Sequence, residues 1–131
     1  MNDSIFTQII KGKVPAHIIC EDDKNIAFLD INPLKIGHTL IVPKKQVDNI
    51  FDLNQESYLS LFDFAKKIAK KIKNKILCKR VGISVIGLDV PHAHIHLIPI
   101  SSFNDMNFNN EPLKLSQSEM RKICQLIKTS S

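Results

Sequence analysis

Apolar positions recur along this chain with two different periods. Tyr58, Leu61, Phe62, Ala65, Ile68, Ala69, Ile72 and Ile76 follow one another at steps of three and four. That spacing predicts a helix over about residues 54–76, with its lysines on the opposite face. Ile5, Phe6, Ile9 and Ile10 repeat the pattern on a shorter scale. They predict a helix capped by Ser4 and running to about Lys11, where Gly12 supplies a left-handed stop. Ser116-Gln117-Ser118-Glu119 is a capping box. It opens a last helix with Met120, Ile123, Cys124 and Ile127 inward. Elsewhere the apolar runs are short and bounded by turn residues. They predict strands at 18–20, 26–29, 38–42, 81–88 and 92–100. Glu21 to Asn25 reads as a hairpin loop, Asp30-Ile31-Asn32-Pro33 as a turn, and the Asn-rich stretch Phe103 to Leu115 as a loop. The order α-β-β-β-α-β-β-α predicts an α+β fold: a five-stranded antiparallel sheet with packed helices.

Composition narrows the class. The 131 residues suit one domain, 1–131. With 44% apolar and 24% charged residues the chain reads as globular and not disordered. No apolar run approaches the roughly 18–20 residues that cross a bilayer, so no membrane partner is expected. The first residues lack the basic flank and apolar stretch of a signal peptide. Three scattered cysteines, Cys20, Cys78 and Cys124, suit a reducing, cytoplasmic setting. The net charge of +5 is local: residues 66–80 hold eight lysines and arginines and no acid, and the rest carries ten basic against thirteen acidic groups. That segment reads as a solvated helix face. With two arginines, one tyrosine and no tryptophan, the chain lacks the stacking and arginine pattern of a nucleic-acid binder.

The chemistry concentrates in His92-Ala93-His94-Ile95-His96. On an extended chain alternate side chains share a face, so His92, His94 and His96 project together while Ala93, Ile95 and Leu97 enter the core. Three readings of such a row stand side by side. One is a polar, solvated sheet face, although three adjacent imidazoles disfavour one another's protonation. Another is a metal site, with Asp89 near enough to join it. The third is nucleophilic catalysis by one ring, with its neighbours managing protons and charge. His17 has no comparable context and reads as a surface residue.

The triad followed by two apolar residues resembles the signature of the histidine triad family of nucleotide hydrolases and transferases. Val14-Pro15-Ala16, Glu21-Asp22-Asp23, Ala27 to Pro33 and Gly37 to Lys44 resemble the N-terminal half of that family, in order. The likeness covers about residues 4–100 and leaves 101–131 as a loop plus C-terminal helix. It is nearest to the branch that hydrolyses purine nucleoside phosphoramidates. The resemblance implies that His94 is the nucleophile, attacking the α-phosphorus to form a nucleotidyl-imidazole that water then hydrolyses. It implies that His96 contacts the leaving group and phosphate oxygens, and that His92 and His38 orient the nucleophile. A neighbouring imidazolium can protonate a departing amine. Asp30 matches the acid that holds the ribose hydroxyls; read alone, it is a turn former before Asn32-Pro33. Ile5, Phe6, Ile9, Phe28, Ile31 and Leu40 match positions that enclose the base; read alone, they are core residues. The implied substrate is a purine nucleotide, an AMP or GMP conjugate, and an apolar slot does not choose between the two. The implied scheme uses no metal and no other cofactor. A homodimer with a continuous ten-stranded sheet is also implied, and it would cover an exposed sheet edge.

Three other functions fit the same residues. They are a dinucleoside polyphosphate hydrolase with the same site, a metal-dependent hydrolase ligated by the three histidines, and a nucleotide-binding module with little catalysis. The chain departs from the branch before the triad. Where the branch carries Gly-Gln-Ser, this sequence reads Gly87-Leu88-Asp89, placing Asp89 on the phosphate side of the site. The asparagine of the preceding strand has no clear match around Ser84-Val85. The Cys/His zinc motif of some bacterial relatives is absent, and the tail after Pro99 is expected to reshape the pocket mouth.

Overall fold

The computed structural model describes residues 2–130. Its elements are α1 (Ile5–Ile10), β1 (Ile18–Glu21), β2 (Asn25–Leu29), β3 (Thr39–Pro43), α2 (Gln55–Lys75), β4 (Arg80–Ser84), β5 (Ile95–Ile100) and α3 (Gln117–Lys128). Two 3-10 turns, Ile50–Asp52 and Phe103–Met106, lie between them. The strands form one five-stranded sheet in the order β1-β2-β3-β5-β4, and every neighbouring pair is antiparallel. The predicted sheet and its packed helices are therefore present.

Both faces of the sheet are covered, which explains why β2 and β3 are buried at every position. Ala27, Leu29, Ile41, Ile95 and Leu97 pack in one core with Leu61, Phe64, Ala65, Ile68 and Ile72 of α2. Met120, Cys124 and Ile127 of α3 close that core. The alternate residues, Ile26, Phe28, Leu40 and Val42, meet Phe6 and Ile9 of α1 in a second, smaller cluster. A six-residue helix covers only part of a sheet face. The triad histidines lie on that same side, beside Phe6 of α1.

The helix ends follow local chemistry. Ser4 accepts a hydrogen bond from Thr7 N–H, Asn54 from Ser57 N–H, and Ser116 and Glu119 complete the predicted capping box. Gly12 sits at φ +76°, as its stop role requires.

Several boundaries differ from the sequence reading. The fourth strand stops at Ser84 instead of Leu88, because its ladder with β5 ends at the Ser84–His96 pair. Beyond it the chain turns through Gly87 at φ +76°. The fifth strand begins at Ile95 instead of His92. Pro91 offers no donor, His92 N–H folds back to Val90 O at 2.8 Å, and Ala93 N–H bonds Val47 O at 2.7 Å. The third strand begins at Thr39, so His38 lies in the turn set by Gly37 at φ +93°. The expected apolar face of α2 is also shared out differently. Phe64 is buried, while Tyr58, Phe62, Ala69 and Ile76 only border the core. The loop expected at 103–115 contains the second 3-10 turn and is tied down by Leu113 N–H to Pro33 O at 2.8 Å.

Candidate active site

The three triad rings still share one side, although only His96 belongs to a strand. His94 and His96 have ring centroids 5.0 Å apart, and Phe6 packs its ring against both His92 and His94 at 5.8 and 4.9 Å. All three histidines and His38 are buried. The face is therefore not solvated. Alternation survives the loss of regular pairing because Ala93 and Ile95 remain anchored in the main core.

Each ring has a distinct hydrogen-bonding state. His92 Nε2 lies 2.7 Å from Pro43 O, which can only accept, so Nε2 carries the proton. Its Nδ1 then accepts from Ser4 Oγ at 2.7 Å, with Thr7 Oγ1 at 3.4 Å. Gln46 Oε1 supports this corner by accepting from Ser4 N–H and from Thr7 Oγ1. Both nitrogens of His92 are thus committed to protein partners. His94 Nδ1 lies 2.8 Å from the carbonyl of His92 and must donate to it. That leaves Nε2 of His94 as a bare lone pair. It is the buried side-chain polar atom without a hydrogen-bond partner among the described residues. Asp89 Oδ1 stands 3.7 Å away from it.

His38 and His96 form a directed pair. Leu34 N–H donates to His38 Nδ1 at 3.0 Å, so the His38 proton resides on Nε2. Nε2 points at His96 Nδ1, also at 3.0 Å. His96 in turn keeps its proton on Nε2, the atom left free to donate elsewhere. A second proton on either ring would break this chain. Burial is the first cause pushing His38 down to about 3, with the charge of His96 adding to it. Burial likewise leads the fall of His96 to about 4, followed by His94, while Asp89 opposes. His92 is lowered too, by burial first, against the bond to Pro43 O. Phe108 lies against this pair, its ring centroid 4.9 Å from His96 and 6.4 Å from His38.

Asp30 opens the other half of the site. Its Oδ1 accepts from Asn32 N–H at 2.9 Å, so the turn-forming role is real. Its Oδ2 lies 3.6 Å from His38 Nε2. Burial is the main reason its carboxyl is raised above the ordinary range; Asn32 N–H and His94 oppose this, and Asp89 reinforces it. Asp30, Asp89, His94 and His96 line a cleft of about 290 Å³. Ile5, Phe6, Ile9, Phe28, Ile31 and Leu40 all line it as well. Phe6, Phe28 and Leu40 form its buried floor, and Ile31, 72% exposed, stands at its rim. His17 lies on the surface, with its Nε2 2.9 Å from Gln117 Oε1.

The cleft also has a rim of Val14, Pro15, Ala16 and Val90. The partners Ser4, Thr7 and Gln46 of His92, and the cover Phe108, were not assigned to the site from sequence. From sequence Ser4 reads only as a helix cap, and Phe108 falls within the stretch read as an Asn-rich loop. Donor atoms of Asp30, His38 and His96 lie within 4.8 Å of one another, the spacing of a metal site. As arranged, however, the facing nitrogens of His38 and His96 are spent on each other, and Leu34 N–H keeps a proton on His38 Nε2. The triad does no better as a chelate, because both His92 nitrogens are occupied. The donor set does not fit a metal without rearrangement.

A family model described as "HIT domain" matches residues 11–103. The chain belongs to the HIT domain family. An uncharacterized HIT-like protein of Borreliella burgdorferi is 35% identical over 106 residues, covering 76% of each chain. The adenosine 5′-monophosphoramidase hnt1 of Schizosaccharomyces pombe is 34% identical over 97 residues, covering 72% of each. A crystal structure of a Hit-like protein from Bartonella henselae superposes with a TM-score of 0.85 at 28% identity, covering 98% of this chain and 96% of that one. The matched HIT region contains His38, Asp30 and the triad. It does not contain Ser4, Phe6 or Phe108, so the outer contacts of this site come from flanking segments.

Proposed function

We propose that this HIT-domain protein hydrolyses nucleoside 5′-phosphoramidates, or related nucleotidyl conjugates, to the nucleoside monophosphate through a covalent adduct on His94. The observation that carries this reading is the unpartnered Nε2 of His94, buried where the ring lines a cleft. A buried polar atom without a partner costs free energy, and a catalytic role is one reason a native fold keeps one. The hydrogen bond from Nδ1 to His92 O keeps Nε2 free and aims it.

In the first step His94 Nε2 forms a bond to the α-phosphorus and the bond to the leaving group breaks. His96 Nε2–H, held in that tautomer by His38, donates to a phosphoryl oxygen as charge builds there. His92 touches no substrate; its side chain is clamped and its carbonyl sets the ring of His94. Asp30 accepts from the ribose hydroxyls, and the apolar floor of Phe6, Phe28 and Leu40 takes a purine. In the second step water attacks phosphorus, His94 leaves with its lone pair restored, and one proton passes to solvent. The phosphoramidase name of the fission-yeast relative supports this substrate class.

Brief incubation with an adenosine 5′-phosphoramidate, acid-free quench and intact-mass spectrometry tests the proposal. An added nucleotidyl mass, mapped to His94 and absent from His94→Ala, is expected. Turnover that persists in His94→Ala would sink it.

A further inference from the structure

The loop before the triad turns an exposed carboxylate back onto a buried ring. The side chain of Asp89 is 72% exposed, yet its Oδ1 lies 3.7 Å from the unpartnered Nε2 of His94. Val90 N–H donates to the same Oδ1 at 3.1 Å and holds it there. Among the described residues, no lysine or arginine forms an ion pair with Asp89.

The charges around this point are one-sided. Asp30 and Asp89 line the cleft, and no lysine or arginine does. A groove on the other side of His94 is lined in part by Asp48, again without a cation. A chain of net charge +5 thus keeps its cations away from the reacting atom.

This asymmetry discriminates between leaving groups. A departing phosphate or polyphosphate carries off negative charge, and catalysis of that departure relies on cations placed beside it. A departing amine behaves oppositely. The nitrogen of a P–N bond takes a proton from solvent before it leaves, so it is cationic at cleavage. A carboxylate within a few ångströms favours the second and opposes the first.

We infer that Asp89 selects the leaving group: its carboxylate accepts a hydrogen bond from the protonated nitrogen of a phosphoramidate and repels a departing phosphate. The inference rests on the transfer to His94 proposed above. The balance is simple. The lone pair of His94 Nε2 forms the new bond to phosphorus. The protonated P–N bond breaks, its electron pair stays on nitrogen, and a neutral amine departs. Asp89 remains a carboxylate throughout.

The test compares the unsubstituted protein with Asp89→Asn and Asp89→Glu on two substrates, an adenosine 5′-phosphoramidate of a primary alkylamine and diadenosine tetraphosphate. Asp89→Asn keeps an oxygen for Val90 N–H and removes the charge. The readout is the ratio of kcat/KM for the amine substrate to that for the polyphosphate. This ratio is expected to fall at least about fivefold in Asp89→Asn and to stay within about twofold in Asp89→Glu. Added salt should lower the ratio in the unsubstituted protein and leave that of Asp89→Asn flat. A ratio unchanged in Asp89→Asn, including one in which both rates fall together, overturns the inference while leaving the His94 reading intact. Failure of the unsubstituted protein to cleave either substrate or to form an adduct overturns both.

Discussion

His38 Nε2 stands 3.0 Å from His96 Nδ1, and the far side of the His38 ring is gripped by Leu34 N–H. A backbone amide therefore dictates which nitrogen of His96 carries a proton, two rings away. The same logic operates on the other flank, where Pro43 O and His92 O dictate the tautomers of His92 and His94. In both cases a main-chain group, which cannot titrate, sets the state of a side chain that can.

The His38–His96 relay predicts that His38→Asn retains the fold but loses control of His96. Its kcat should fall by about 10–100-fold, as when the outer hydrogen-bond partner of a metal-bound histidine is removed. Steady-state kinetics beside a circular dichroism spectrum check this. An unchanged kcat would mean that His96 needs no partner at Nδ1.

Ser4→Ala removes two contacts at once: the cap of α1 and the donor to His92 Nδ1. Thr7 Oγ1, 3.4 Å from the same nitrogen, is a poorer substitute. A loss of about 1–3 kcal/mol in unfolding free energy is expected, read from urea denaturation. Wild-type stability would show that Thr7 takes over the bond at no cost.

Stability should depend on pH with a defined sign. His38 and His96 are lowered from 6.5 to about 3 and about 4 in the folded protein. Below about pH 6.5 the unfolded chain therefore binds more protons than the native one. Stability present above that value is lost as pH falls towards 4 and then 3, with a slope of up to about 1.4 kcal/mol per pH unit for each ring. His92, also lowered, adds in the same direction. Asp30, raised by burial, contributes with the opposite sign and relieves part of the loss in acid. Urea midpoints at a series of pH values check the trend. Phe108→Ala, which opens the His38–His96 pair to water, should narrow the window by letting both rings titrate nearer 6.5; a midpoint independent of pH would refute the account.

The β4 edge carries a prediction about assembly. Ile83, Val85, Ile86 and Leu88 are exposed on and just beyond β4, and the exposed Phe51 lines one groove with Val85, Ile86 and Leu88. An unpaired edge flanked by such surface is a template for another strand. Light scattering after gel filtration should report twice the mass of 14.9 kDa. Ile83→Lys should shift it to the monomer; a monomeric unsubstituted protein at micromolar concentration would remove the dimer from the picture.

Local pattern carried the fold: the step of three and four in α2, the capping box at Ser116 and the bounded apolar runs of β2 and β3 each express local stereochemistry that a chain cannot hide. The family was legible through a resemblance, carried by the ordered blocks from Val14 to Lys44 and the triad that follows them. What local pattern could not carry were contacts between residues far apart in the chain. Strand period put the three imidazoles on one side, but the packing of Pro91 and Val47 moved the start of β5 past two of them. Which nitrogen of His92 holds a proton depends on Pro43 O and Ser4 Oγ, and these meet the ring only when the sheet closes. Residue type and spacing decided which groups are present; the folded backbone decided which of their atoms remain free, because a tautomer is set by a hydrogen-bond partner, whether that partner stands two residues away, as His92 O does from His94, or across the fold, as Pro43 O does from His92.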